Sequence, residues 1–421
     1  MERNQIDIPE GWRLKKLGSV CRIKKGVQFN KVELSDSGMF PCINGGIEPS
    51  GYSDLWNTIE NTITISEGGN SCGYVNFLTT KFWSGGHCYS LLDLDKNLEN
   101  DFLYQALKGR QSLIMDLRVG SGLPNIQQKA IKEFEFLSPE SKSEQTQIAS
   151  ILSKVDEAIS QTEQLIAKYT RIKTGLMQDL LTKGIDEHGN IRSEATHEFK
   201  DSPLGRIPKE WEHLRRYVII TGGYAFKSRD FTEDGLQLIR MGNLYNNQLS
   251  LNRDPVFLPK DFQFKHPNFV LKNGDLIMSM TGTSGKRDYG FTVQIEIEKP
   301  LLLNQRVCKF KCIENRIDKT YLINLLHSEI YLATLYENAT GTKQANLNSD
   351  NILNIYVPFP SKDEQKRIGK KFNVTDKSTR YFYQELTKLQ SLKTGLMQDL
   401  LTGKVRVNSA EVKEANETGL V

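Results

Sequence analysis

Adjacent prolines, paired cysteines and long apolar runs are all missing from this sequence of 421 residues. The six cysteines (Cys21, Cys42, Cys72, Cys88, Cys308 and Cys312) form no CxxC pair, which argues against a zinc ribbon or a dense disulfide scaffold and points to buried, reduced thiols. His87 beside Cys88, and Cys308 with Cys312, lack the partners a tetrahedral zinc site needs. Nowhere is there the run of about 18 apolar residues that a membrane helix requires. The opening MERNQIDIPEGW has no basic stretch leading into an apolar core, so the expectation is a soluble chain that stays in the cytoplasm. None of the 13 prolines adjoins another, whereas an N6-adenine methyltransferase would need an Asp/Asn-Pro-Pro-aromatic loop; Asp254-Pro255-Val256-Phe257 comes closest and lacks the second proline. A nucleotide motor would need GxxxxGK[S/T], but Gly285-Lys286 is followed by Arg287 and Met280 stands where the first glycine belongs. No catalytic centre is visible.

Charge is also nearly absent in net terms: 55 basic against 51 acidic residues leave +4, so any basic surface has to be local. What the chain does have is a duplication. KTGLMQDLLT occurs as Lys173–Thr182 and again, letter for letter, as Lys393–Thr402. Upstream, Ser138 to Gln145 answers Phe359 to Gln365, and Gly120, Asn125 and Ile131 align with Gly341, Asn346 and Ile352. Each half opens alike, Ile8-Pro9-Glu10-Gly11-Trp12 against Ile207-Pro208-Lys209-Glu210-Trp211, yet Gly38 to Ser90 shares little with Gly235 to Val307. A repeated frame with unlike interiors suggests one scaffold presenting two specificities, the alternative being ordinary drift in loops, which vary most in any fold.

The repeated ends read as helices. Ser141-x-x-Glu144 and Ser361-x-x-Glu364 fit capping boxes. A seam in steps of three and four follows the first through Ile148, Ile151, Val155, Ala158, Thr162, Leu165, Tyr169, Ile172 and Leu176. The second runs through Ile368, Phe372, Thr375, Thr379, Phe382, Leu386, Leu389, Leu392, Leu396 and Leu400. Helices of roughly 40 residues reach about 60 Å, too long to hide a seam against one ordinary domain, which predicts antiparallel packing of one on the other. Gly175 and Gly395 interrupt good helix formers, which either a close backbone approach or a packing glycine with no partner role would explain, and Gly184 and Gly403 follow the helices. A polar stretch from Lys183 to Arg206 links the halves.

Short apolar alternations feed glycine-rich turns in both interiors, as in Thr62 to Asn70 and Gly274 to Gly285, with helical patches such as Asp101 to Gly109 and Lys319 to Ala339, so each half is α+β. Loops of Gly, Ser, Thr and Asn with basic residues nearby can approach phosphates through backbone N–H groups and reach base edges with short side chains. The candidates in the first half are Lys24, Lys25, Gln28, Asn30, Lys31, Asn44, Gly45, Gly68, Asn70, Ser71, Tyr74 and Ser121. Those in the second are Lys227, Ser228, Arg229, Arg240, Asn243, Thr281, Thr283, Ser284, Lys286, Thr342 and Lys343, with Asn304, Gln305, Arg306 and Gln344 carrying the side chains that match purine edges.

The IPxxW openings, the Glu-Gln start of each helix (Glu144-Gln145, Glu364-Gln365), the KTGLMQDLLT repeats and Gly274-Asp275-Leu276-Ile277 followed by Thr281-Gly282-Thr283 together resemble the specificity subunit of type I restriction-modification systems, over nearly the whole chain. The resemblance implies an α+β fold with two pseudo-repeated target-recognition domains separated by two long antiparallel coiled-coil helices. It divides the chain into domain one (1–140), a spacer helix (141–183), a linker (184–206), domain two (207–360), a second spacer helix (361–403) and a tail (404–421). It further implies that each domain reads half of a split double-stranded DNA site, with the helices as a ruler for the unread spacer. Two methyltransferase subunits would bind the helices, through Lys173, Gly175, Leu176, Met177, Leu180, Lys393, Gly395, Leu396, Met397 and Leu400. S-adenosylmethionine, ATP and magnesium would belong to those subunits and to restriction subunits that join them, with no cofactor or metal in this chain, and the setting would be a bacterial or archaeal cytoplasm. In the first half Ile65-Ser66-Glu67-Gly68 stands where the second has Met278 to Gly282, so Glu67 either faces DNA or caps a turn. Two rival readings stay open: a nuclease with scattered carboxylates, and a scaffold whose globular halves bind protein.

Overall fold

Thr62-Ile63-Thr64-Ile65-Ser66 is β-branched at four of five positions, and all five residues are buried in a strand flanked on both sides by others, as such a run favours. A computed structural model describes residues 8–407 of the chain apart from 30–33, 121, 123, 203–204, 314–315, 340, 342 and 356. The described residues fall into two units, one drawn from Met1–Gln164 with Gln384–Val421 and the other from Leu165–Tyr383.

In the first unit an antiparallel sheet runs in the order Arg22–Lys25, Cys88–Leu92, Thr62–Ser66, Val75–Leu78. A smaller sheet places Phe40–Ile43 between Tyr52–Ser53 and Trp83–Ser84, the last pairing being parallel. The second unit repeats this plan. Val218–Gly222, Val307–Cys312, Leu276–Ser279 and Thr292–Gln294 form the antiparallel sheet. Leu236–Ile239 pairs in parallel with Leu301–Leu303 in the smaller one.

The two long helices span Lys142–Thr182 and Lys362–Leu400. Each unit holds the first half of one and the last half of the other, and in each the pieces run antiparallel. Lys173 pairs with Asp376 at 2.5 Å in the second unit, and the matching residues of the duplicated sequence, Lys393 and Asp156, pair in the first. These ion pairs correct the expected seam. Ile172 and Leu392 are 41% and 52% exposed, because the lysine one residue on points at the partner helix instead. Leu152 and Ile166, outside the expected stripe, are buried.

Each helix start is built the same way. Gln145 and Gln365 are fully buried and clamp the preceding strand and a loop. Gln145 Nε2 donates to the Pro139 and Asn97 carbonyls and its Oε1 accepts from Glu99 N at 2.7 Å. Gln365 Nε2 donates to the Pro360 and Arg316 carbonyls and its Oε1 accepts from Asp318 N at 2.8 Å. Such buried amides need every donor and acceptor met, which accounts for a repeated glutamine at this point.

The expected capping boxes are half made. Ser141 and Ser361 accept from Glu144 N and Glu364 N, but neither glutamate side chain turns back to the cap. Glu144 instead takes a two-pronged bond from Arg406, and Glu364 takes bonds from Arg192 and Ile185 N. A guanidinium offers a charge-assisted fork, which outcompetes a single backbone N–H. Both arginines lie just past the helix end of the opposite repeat, where the chain turns through left-handed glycines, Gly184 (φ 69°) and Gly403 (φ 71°). A Cβ on Gly184 would lie 2.5 Å from the Trp211 ring, and one on Gly403 would lie 2.9 Å from Trp12, so the IPxxW tryptophans pack straight onto these turns.

The decapeptide ends seal the cores. Leu400 and Leu401 join Trp12, Phe102 and Leu152 in the first unit; Leu180 and Leu181 join Leu214, Ile368 and Phe372 in the second. Each sequence repeat therefore finishes the core that belongs to the other.

Candidate nucleic-acid interface

Main-chain hydrogen bonds fix which loops of the two units correspond. Gly85 N donates to Ile43 O at 2.8 Å and Asn304 N to Ile239 O at 3.1 Å. Glu67 N donates to His87 O and Met280 N to Arg306 O, both at 2.9 Å. Gly26 and Gly223 sit at the crossing: a Cβ on either would come within 2.5 Å of the neighbouring turn's backbone, from Ser84 in one and Asn304 in the other. Asn44 thus matches Arg240, Glu67 matches Met280, and Gly85-Gly86-His87 matches Asn304-Gln305-Arg306.

In the first unit Lys24, Lys25, Gln28, Asn70 and His87 are exposed, while Asn44, Gly68, Ser71 and Tyr74 are half-buried and Gly45 is buried. Glu67 is the centre of this group. Lys25 Nζ lies 2.5 Å from its Oε1, Tyr89 OH donates to the same oxygen at 3.0 Å, and His87 Nδ1 is 3.4 Å from Oε2. Burial works to raise the Glu67 pKa, but the bonds from Lys25, Tyr89 and His87 outweigh it and hold the carboxyl below its ordinary value. Glu67 thus neither caps a turn nor stands free; it anchors Lys25 and His87 at the loop surface. No motif spacing signals this cluster, because Glu67, His87 and Tyr89 come together only through strand pairing. Ser71 Oγ donates to Gly45 O at 2.5 Å, tying two candidate loops to each other. Tyr74 lies under Lys108, whose ammonium is 3.8 Å from the ring centre.

In the second unit Lys227, Ser228 and Arg229 are exposed on a short helical turn. Thr283, Lys286, Gln305, Arg306, Lys343 and Gln344 are also exposed, whereas Arg240, Ser284 and Asn304 are half-buried. Thr281–Thr283 pairs with Gln344–Asn346, and Ser284 Oγ donates to Gly341 O at 3.2 Å, so these two candidate loops form one ribbon. Asn243 and Thr281 are buried, 2% and 4% exposed. Asn243 is a loop builder, accepting from Arg240 N and donating to the Ser250 and Arg253 carbonyls. A polar recess of about 370 Å³ is lined by Arg240, Asn243, Arg253, Asn304, Gln305 and Arg306, among others. Asn30, Lys31, Ser121 and Thr342 lie outside the described residues.

On the helices, Leu180 and Leu400 are 1% and 4% exposed and committed to their own cores, which removes them from any partner surface. No atom meets a Cβ placed on Gly175 or Gly395 within 4 Å, so these glycines mark open helix surface and not the expected backbone contact. Lys173 and Lys393 are occupied by Asp376 and Asp156, and the apolar side chains left partly uncovered in the two decapeptides are Leu176, Met177, Leu396 and Met397. Thr174 and Gln178, and their counterparts Thr394 and Gln398, face outward. In the second unit this face borders a groove of about 790 Å³ lined by Thr174, Met177, Gln178, Ile330 and Ala333, among others.

Among the described residues no group of three or more His, Cys, Asp or Glu side chains is placed to hold a metal ion, and no helix is long and apolar enough to cross a membrane. The family model described as "Type I restriction modification DNA specificity domain" matches twice, over residues 9–171 and 208–391. The chain belongs to the type I restriction-modification DNA specificity family. As a specificity subunit it is a non-catalytic component, which removes the nuclease reading. It is 29% identical to the type I restriction enzyme MjaVIII specificity subunit of Methanocaldococcus jannaschii, across 97% of this chain and 96% of that one. It is 27% identical to the type I restriction enzyme EcoAI specificity subunit of Escherichia coli over 40% of this chain and 28% of that one. The crystal structure of a type I restriction-modification system S subunit from M. genitalium has the same fold, with a TM-score of 0.65 at 22% identity, covering 95% of this chain and 97% of that chain.

Proposed function

We propose that this specificity subunit reads a bipartite double-stranded DNA site, one half with each unit, and positions two copies of one adenine-N6 methyltransferase subunit. The observation that carries this reading is the contrast between what the duplication keeps and what it changes. The loops at equivalent places, Gly85-Gly86-His87 and Asn304-Gln305-Arg306, differ at every residue, as two readers of different sequence would. The outward-facing residues of the decapeptides, Thr174 and Gln178, and Thr394 and Gln398, are the same although neither core uses them, as two docking sites for one partner would be. The long helices set the length of unread DNA between the halves. S-adenosylmethionine binds the methyltransferase subunits, ATP and magnesium serve restriction subunits where these join, and the assembly works in the cytoplasm.

The test is reconstitution. The purified chain with S-adenosylmethionine is expected to methylate nothing, and addition of the cognate methyltransferase subunit to give adenine methylation at one split motif. Methyl transfer by this chain alone, or methylation by the pair without a defined motif, would overturn the reading.

A further inference from the structure

We propose that the two units read opposite purine chemistry at their equivalent turns: the second unit reads a guanine through Arg306, and the first reads an adenine through the amides of Gln28 and Asn44. The inference rests on the DNA-reading function and assigns base class within it. In the first unit the first two residues of the turn are glycines, while His87, at the place of Arg306, is turned to Glu67; the reason for the glycines is steric. A Cβ on Gly85 would lie 2.5 Å from Asn44 Oδ1, and one on Gly86 would lie 2.9 Å from Gln28 Oε1. Two amides brought in from neighbouring loops fill the space that side chains on the turn would need. Asn44 is held there by His87 N, which donates to its Oδ1. Gln28 is exposed and, among the described residues, donates only to its neighbour's carbonyl, at 3.1 Å. An amide offers one acceptor beside one donor, the pattern of adenine N6 and N7.

In the second unit the polar side chains come from the turn itself. Arg306 and Gln305 are exposed, and neither side chain has a hydrogen bond or ion pair among the described residues. Arg240, at the position of Asn44, donates to Asp254 O at 2.6 Å and is drawn into the recess wall, leaving its Nε buried with no partner among the described residues. Arg306 is thus a free guanidinium at the rim, with Arg240 behind it and Arg253 lining the same recess. Its paired N–H donors match guanine O6 and N7, and among the described residues no carboxylate takes them first.

Methylation motifs of the reconstituted complex test this, with the half-site of each unit assigned by exchanging residues 26–134 for a relative's segment. The second unit's half is expected to contain a G·C pair at which Arg306→Ala lowers discrimination roughly tenfold to a hundredfold while the other half stays intact. Arg306→Lys keeps the charge and loses the fork, so it should relax the same position while DNA binding persists. Gln28→Ala with Asn44→Ala should relax an A·T pair in the first unit's half only. A second half without any G·C pair would overturn the proposal. So would an Arg306→Lys complex with an unchanged motif, or an Arg306→Ala complex that loses rate equally on all sequences, the mark of a phosphate contact. In each of these outcomes the wild-type complex still methylates a split motif, whereas failure of the DNA-reading function itself would leave the wild type without one.

Discussion

Glu67 shows how one side chain can organise a loop surface. Its carboxylate is 13% exposed and ties together Lys25, Tyr89 and His87. Because its folded pKa lies below the ordinary value of 4.5, its bonds contribute stability that is fully present above that value and fades as pH falls through the folded value. Glu67→Gln should therefore cost about 1 to 2 kcal/mol at neutral pH, in line with charge-assisted bonds to a part-buried group. The difference from wild type should shrink steadily below about pH 4.5. Urea unfolding at several pH values measures it, and a constant difference down to about pH 3 would mean that the carboxylate charge is not what holds the cluster. Lys25 and His87 should also become more mobile in the variant, with weaker DNA binding by the first unit.

At the scale of elements, the two decapeptides divide their residues between core and surface, and the two roles separate by mutation. Leu180→Ala and Leu400→Ala each remove a buried side chain at a core junction and should cost about 2 to 5 kcal/mol. Hydrogen exchange should locate the first loss around Ile368 and Phe372 and the second around Trp12 and Phe102, because those are the residues each leucine's cluster contains. Loss of protection in the other unit instead would contradict the swapped arrangement of helix ends. Gln178→Glu with Thr174→Arg alters only outward-facing positions and should leave the melting temperature within about a degree or two. If these residues dock a methyltransferase subunit, native mass spectrometry should find one such subunit per chain in that variant against two in the wild type. An unchanged stoichiometry would move the docking surface elsewhere. The Lys173–Asp376 pair, by contrast, is about one-third exposed, so a double-mutant cycle should return less than about 1 kcal/mol.

For the whole molecule, the arrangement that matters is that each unit has its own sheets, its own core and its own candidate loops. Exchange of residues 26–134 for the equivalent segment of a relative should change one half of the methylated motif and leave the other as it was. The exchanged segment carries most of the first unit's candidate loops and stops short of Gln145 and of Leu400 and Leu401, which the scaffold supplies. Genome-wide methylation mapping reads the outcome directly. A change in both halves would mean that the units do not read independently.

The duplicated decapeptide, the Glu-Gln helix starts and the IPxxW openings were legible as text, and from them followed two related α+β units, two long helices and their antiparallel pairing. Periodicity carries that much because a helix repeats its faces every few residues and a duplication repeats its letters. It misplaced Ile172 and Leu392, since a lysine beside each finds an aspartate on the other helix, a contact no single-helix pattern contains. The serine and glutamate of a capping box were present at both helix starts, but only the folded chain brings Arg406 to Glu144 and Arg192 to Glu364 from far along the sequence. The candidate loops were recognisable by composition, whereas Asn243 and Thr281 could not be told from surface residues until the fold buried them. Composition reports which groups can bind a base; strand pairing decides which of them meet at one surface, because Glu67, His87 and Asn44 become neighbours only when Thr62–Ser66 pairs with Cys88–Leu92 in one sheet and Phe40–Ile43 with Trp83–Ser84 in the other.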